Sequence, residues 1–290
     1  MPNNKVYLIA LFLTAWLVTL VFVHLTLVDL SGYYSFAFLG LIGAVFANST
    51  GAGGGVVFIP MFNQLGFTSE QAVATSFGIQ SFGMTAGAIT WYIHRQNVGI
   101  GQTDWSPFVP IITVSALFSI IGTWVVYGSN QPIPGSLNLF FSAFSVFLGL
   151  AILATVYISG KPSQYSELKP LDLLIIAMIG LFGGVITAWL SVGVGELLAT
   201  YLILRRFNIT MAIATAVIVS AITVWFSVPQ HAYFEPNIYW QVIIFAGPAA
   251  IIGGVFARTV VTRLSPRKLK LFFAVWVLIM GLSGLTKFWI

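Results

Sequence analysis

Glu196 stands directly after a glycine-rich break in an apolar stretch, Ser191-Val192-Gly193-Val194-Gly195-Glu196, and is the one acidic residue expected at membrane depth. A carboxylate there is costly, of order 3 kcal/mol on insertion scales. Two chemistries explain it. It can bind and release a proton coupled to transport, because a charged carboxylate repels a bound anion and a protonated one does not. Alternatively it is a first-turn helix carboxylate held by local amides.

A second break, Asn48-Ser49-Thr50-Gly51-Ala52-Gly53-Gly54-Gly55, has the same character. Breaks of this kind free backbone N–H groups at the start of a new half-helix. Those amides and the helix dipole make an anion site. Gly51, Gly53, Gly54 and Gly55 let an anion approach the backbone, with Ser49 and Thr50 as hydroxyl donors. Ser191, Gly193 and Gly195 are their counterparts in the other break. Thr75, Ser76 and Thr215 lie in the helices that follow, with Gln80 one turn beyond Ser76 and Ser220 at a similar depth. All of these but Ser220 form the expected substrate-binding set, with Glu196 as the proton-coupling group. Plainer roles compete: small residues line close helix contacts, and Ser and Thr bond their own helix backbone. Trp189 and Trp225 fall at middle depth, where they wall a site or fill a core.

The two breaks belong to a duplication. Residues 40–76 align with 180–216 without a gap at an offset of 140, with ten identities that include Gly53/Gly193, Gly55/Gly195 and Thr75/Thr215. A second match pairs 137–153 with 269–285 at an offset of 132. Paired glycine-broken apolar segments in two halves of a membrane chain point to a transporter site.

The elements that carry the breaks are too long for single crossings. Segments 34–65 and 171–204 would each span more than about 48 Å as a helix, against roughly 30 Å of hydrocarbon. Each is either one broken crossing or a re-entrant hairpin of two half-helices. Charge favours hairpins. With seven true crossings and the N-terminus inside, Lys5, Arg95, Lys161, Lys169, Arg205, Arg206 and the basic residues from Arg258 to Lys270 fall inside, leaving only Lys287 outside. Each half then holds three crossings, so the halves are inverted. The expected fold is an all-α polytopic membrane protein. Residues 1–32 form an N-terminal transmembrane helix, 33–158 the first repeat, 159–170 a linker and 171–290 the second repeat. Each repeat has a glycine-broken re-entrant helical hairpin and three spanning helices.

Composition supports this frame. The chain is 58% hydrophobic and 7% charged, whereas soluble domains carry about 25% charged residues. Cysteine is absent, which excludes disulfides and thiol chemistry. Only His24, His94 and His231 are histidines, and they are scattered. No metal or cofactor is expected. The net charge of +5 reads as cytoplasmic loops rather than as a nucleic-acid surface. The apolar run Val6–Val28 is too long for a cleaved leader and is expected to be a retained helix.

The ordered pair GAGGGVVFIP…AVATS and GVGELLATY…AIATA resembles the sulfite exporter TauE/SafE family of permeases. The resemblance covers nearly the whole chain after the first helix. It implies a multi-pass permease of the cytoplasmic (inner) membrane for sulfite, organosulfonates or related small anions, acting as an exporter, with a small anion and the lipid bilayer as partners. The second half departs from the pattern, with Gly193-Val194-Gly195-Glu196 in place of a glycine-rich triplet. A transporter is therefore expected rather than an enzyme. No G-x-x-x-x-G-K-[ST] motif is present for ATP. An anion channel or an intramembrane enzyme are the competing readings.

Overall fold

The computed structural model describes residues 16, 31–99, 103–129, 136–158 and 167–286. The expected N-terminal helix lies outside them save for Ser31, Gly32 and Trp16, whose Nε1 donates to Ile244 O at 2.7 Å. Most of the expected linker also lies outside them. The described residues form ten α-helices and no strand: α1 (Phe36–Thr50), α2 (Gly55–Gln64), α3 (Ser69–His94), α4 (Phe108–Gly128), α5 (Leu137–Ile158), α6 (Pro170–Leu190), α7 (Val194–Leu204), α8 (Ile209–Pro229), α9 (Trp240–Arg263) and α10 (Pro266–Thr286). Four stretches are long and apolar enough to cross a membrane: α4, α6, α8 with its extension to Phe234, and α9. The protein is a multi-pass membrane protein.

Equivalent sequence positions build equivalent local structure. Helix α2 ends in Gly66 at φ 82°, and α7 ends in Arg206 at φ 62°, one repeat offset later. Both left-handed residues let the next amide reach back, from Phe67 to Phe62 O at 3.1 Å and from Phe207 to Leu202 O at 3.0 Å. Helix α3 then starts on Thr68, whose hydroxyl accepts from Gln71 N at 3.2 Å. Helix α8 starts on Asn208, whose Oδ1 accepts from Thr210 N at 3.0 Å. Both are side-chain N-caps at matching positions.

The packing interlocks the halves. Helix α1 lies against α9 and α4 against α6; α3 lies against α8 and α5 against α10. Glycines allow the first two pairs to touch backbone to backbone. A Cβ on Gly40 would enter the space of Ala246, and one on Gly184 that of Ser119 O. Lipid gives apolar helices little reason to associate, so close backbone approach supplies the contact.

The ends of each long broken segment come together. Asp172 at the start of α6 pairs with Arg205 just after α7, at 2.7 Å. Tyr33 and Phe67, which flank α1 and α2, both pack on Tyr239, with ring centroids 5.9 and 5.2 Å away.

Candidate functional site

Both breaks begin with the same backbone device. Helix α1 closes on Gly51 at φ 80°, and α6 closes on Ser191 at φ 55°, its equivalent. A non-glycine residue in this region costs about 1–2 kcal/mol. Gln80 Nε2 holds Ser191 there, donating to its Oγ at 2.7 Å and its carbonyl at 3.1 Å. Residues Ala52–Gly54 and Val192–Gly193 then lead into α2 and α7.

The breaks lie against each other reciprocally. A Cβ on Gly55 would stand 2.5 Å from Ser191 O, and one on Gly195 would collide with Gly51 O. Only a residue without Cβ allows that approach. The glycines at these two positions are therefore explained by tight mutual packing.

At this junction Glu196 is fully buried. Its Oε2 accepts from Gly193 N at 2.8 Å, the reach-back bond of a third-position carboxylate to its own N-cap. Its Oε1 accepts from Gly53 N in the other break at 2.5 Å. Gly53 and Gly193 are repeat equivalents, so one carboxylate joins the matching amides of both halves. Next to it, Gln80 Oε1 accepts from Gly54 N at 2.8 Å. The N-termini of α2 and α7 thus point their amides at a buried carboxyl group and a neutral amide oxygen.

Of the expected site residues, Gly53, Gly54, Gly193, Ser191, Ser76, Gln80 and Glu196 converge here. Ser76 Oγ accepts from Gln80 Nε2 and from Ser191 Oγ, both at 3.0 Å. Gly51, Gly55 and Gly195 form the packed walls. The remaining hydroxyls are held by other partners, and of these only Thr50 Oγ1 also meets its break, accepting from Ala52 N at 3.2 Å. Ser49 Oγ donates to Ala257 O at 3.3 Å, and Thr50 Oγ1 to Phe46 O at 2.9 Å. Thr215 Oγ1 donates to Met211 O at 2.7 Å, and Thr75 Oγ1 accepts from Tyr239 N at 3.0 Å.

Two further side chains join the junction: Thr187, which no sequence motif announces, and Ser220, which the sequence places at this depth. Thr187 Oγ1 accepts from Val194 N at 3.0 Å and so caps α7 from within α6. A threonine one turn before the break is the only signal for it. Ser220 Oγ is buried with no partner and stands where a Cβ on Gly195 would fall. Of the two tryptophans, Trp189 packs on Phe140 at 5.9 Å, and Trp225 Nε1 donates to Thr85 Oγ1 at 2.7 Å.

Comparison with known proteins returned no match among curated proteins and none among solved structures. A family model does match, over residues 36–284, which takes in both breaks and all ten helices to within two residues of the last. The chain belongs to the sulfite exporter TauE/SafE family.

Proposed function

We propose that this protein is a secondary transporter that exports sulfite or a related small sulfur-containing anion across the cytoplasmic membrane, with its N-terminus inside. The observation that carries the proposal is the Glu196 carboxylate lying on the equivalent amides of Gly53 and Gly193. A sulfur oxyanion presents the same pair of charged oxygens to two N–H donors. Helix N-termini favour such groups, and the family description names sulfite.

Glu196 then couples the anion to a proton. Its charged form already occupies the two amides. Its protonated form has one oxygen that carries a hydrogen, and that hydroxyl accepts an amide far more weakly than a charged carboxylate oxygen does. Protonation frees an amide and removes the negative charge that repels the substrate. The anion takes the vacated donor, and proton and anion occupy the junction together.

The architecture proposed for this cycle is a pair of inverted repeats, 33–158 and 171–290, each with a re-entrant hairpin. Three contacts support it. The Asp172–Arg205 pair joins the start and finish of the second hairpin. Tyr33 and Phe67 share Tyr239 at the mouth of the first. The two mouths lie at opposite ends of α3. That helix begins near Tyr239, which donates its amide to Thr75. It ends at His94 on Trp105, beside Asp104, which accepts from Asn208 at 3.3 Å.

Purified protein in liposomes tests the function. Saturable uptake of labelled sulfite that shows counterflow supports a carrier. Ohmic current means a channel, and chemical conversion means an enzyme; either result rejects the proposal.

A further inference from the structure

A line of polar side chains runs along one face of α8, from the glycine junction to the end of the helix. Ser220, Thr223, Ser227 and His231 are spaced by three, four and four residues, which stacks them on one face. All four are buried. Helix α4 adds partners from the facing side. Ser119 Oγ and Thr223 Oγ1 share a hydrogen bond of 2.6 Å. The Tyr127 hydroxyl lies 3.3 Å from His231 Nε2.

We propose that this line is the route by which protons pass between Glu196 and the His231 end of the protein. It rests on the reading that Glu196 exchanges a proton. At the inner end, Ser220 Oγ stands against Gly195, the residue before Glu196, and has no partner. At the outer end, His231 sits in a π-helical turn, Gln230–Phe234, followed by exposed Glu235. His231 faces Tyr127 from α4 and stacks on Phe77 from α3 at 4.9 Å.

Helix packing alone does not account for the line. The repeat equivalents of these four residues on α3 are Gln80, Gly83, Gly87 and Trp91, so the same position in the fold is filled without a row of hydroxyls. Thr223 and Ser227 do donate to their own helix, to Val219 O and Thr223 O at 2.9 Å each. Each still accepts from the group before it, and turns from its carbonyl to hand its one proton onward. A proton entering at His231 leaves its other ring nitrogen toward Tyr127. Each hydroxyl then takes one proton and passes its own onward, so no atom gains net charge. Neighbouring groups on α8 are separated by one turn, roughly 5 Å, a gap that one bridging water spans.

The test uses the full chain in vesicles that enclose a pH-sensitive dye, with an imposed sulfite gradient. Tyr127→Phe and Thr223→Val should each slow sulfite-driven proton movement by tenfold or more while sulfite binding at fixed pH stays at the wild-type level. Thr223→Ser, which keeps the hydroxyl, should restore the rate. Wild-type proton movement in both Tyr127→Phe and Thr223→Val overturns the route, and so does a Thr223→Ser protein as slow as Thr223→Val. Wild-type proton movement in Glu196→Gln rejects the coupling reading itself, and the route falls with it. A variant that no longer binds sulfite is replaced in the comparison by Ser227→Ala, for which a wild-type rate likewise overturns the route.

Discussion

Trp225 Nε1 donates to Thr85 Oγ1 at 2.7 Å, and the two residues stand 140 positions apart, the offset of the repeat. Two equivalent residues of a two-fold pair touch only close to the axis that relates them. This contact between α3 and α8 is the relation that the proposed inverted halves require. The Glu196 carboxylate, shared by Gly53 and Gly193, meets the same requirement at the junction.

The opposed hairpin mouths can be tested by labelling. The chain has no cysteine, so single replacements report without a background. Gly66 and Arg206 are both exposed. Gly66→Cys should react with a membrane-impermeant maleimide added outside intact cells, and Arg206→Cys only after permeabilisation. Reaction of both from the same side rejects the inverted arrangement.

Gly54 tests the amide site. A Cβ there would stand 2.6 Å from the Phe58 ring and 2.9 Å from Gln80 Cγ. Gly54→Leu should push Gln80 off the Gly54 amide and lower sulfite affinity by tenfold or more, measured by equilibrium binding to purified protein. Wild-type affinity in a folded Gly54→Leu protein removes this break from the site.

Glu196→Gln separates binding from coupling. The Gln side chain offers one oxygen where the carboxylate offers two, so its NH2 group meets one of the two glycine amides without bonding it. That mismatch costs on the order of 1–3 kcal/mol and should lower the melting temperature. The variant resembles the protonated state, so sulfite binding should persist while transport loses its dependence on pH. A wild-type pH profile assigns Glu196 to structure alone.

The Asp172–Arg205 tie has a measurable share in stability. Asp172 is buried and also accepts from Tyr201 Oη at 2.6 Å and Lys169 N at 2.9 Å. Asp172→Asn should cost about 2 kcal/mol, the loss expected for charged hydrogen bonds. Arg205→Gln should cost at least as much, because it leaves the buried Asp172 carboxylate, 4% exposed, without its cation. Thermal unfolding in detergent measures both, and equal melting of Asp172→Asn and wild type dissolves the tie.

Much of the local structure could be read along the chain. Apolar segments with polar glycine runs at their middles end their helices there, because glycine and a left-handed turn are local backbone properties. The offset of 140 marked Gly51 and Ser191, Gly66 and Arg206, Thr68 and Asn208 as pairs in the same local geometry. Membership of a transporter family was legible in the order of the duplicated motifs.

What tertiary structure alone decided is which donor meets which acceptor. Sequence spacing placed Ser49, Thr50, Thr75 and Thr215 near the breaks, but their hydroxyls bond helix carbonyls or, for Thr75, the Tyr239 amide, and only Thr50 also accepts an amide of its break, from Ala52. Helix rotation sets that outcome, and rotation depends on the packing of α1 on α9 and α3 on α8. The reach of Glu196 to Gly53 depends on the same packing. Those residues are 143 positions apart, and no local rule connects them. They meet because glycines without Cβ let the two breaks press backbone against backbone, which brings an amide of one half within hydrogen-bond distance of the carboxylate of the other.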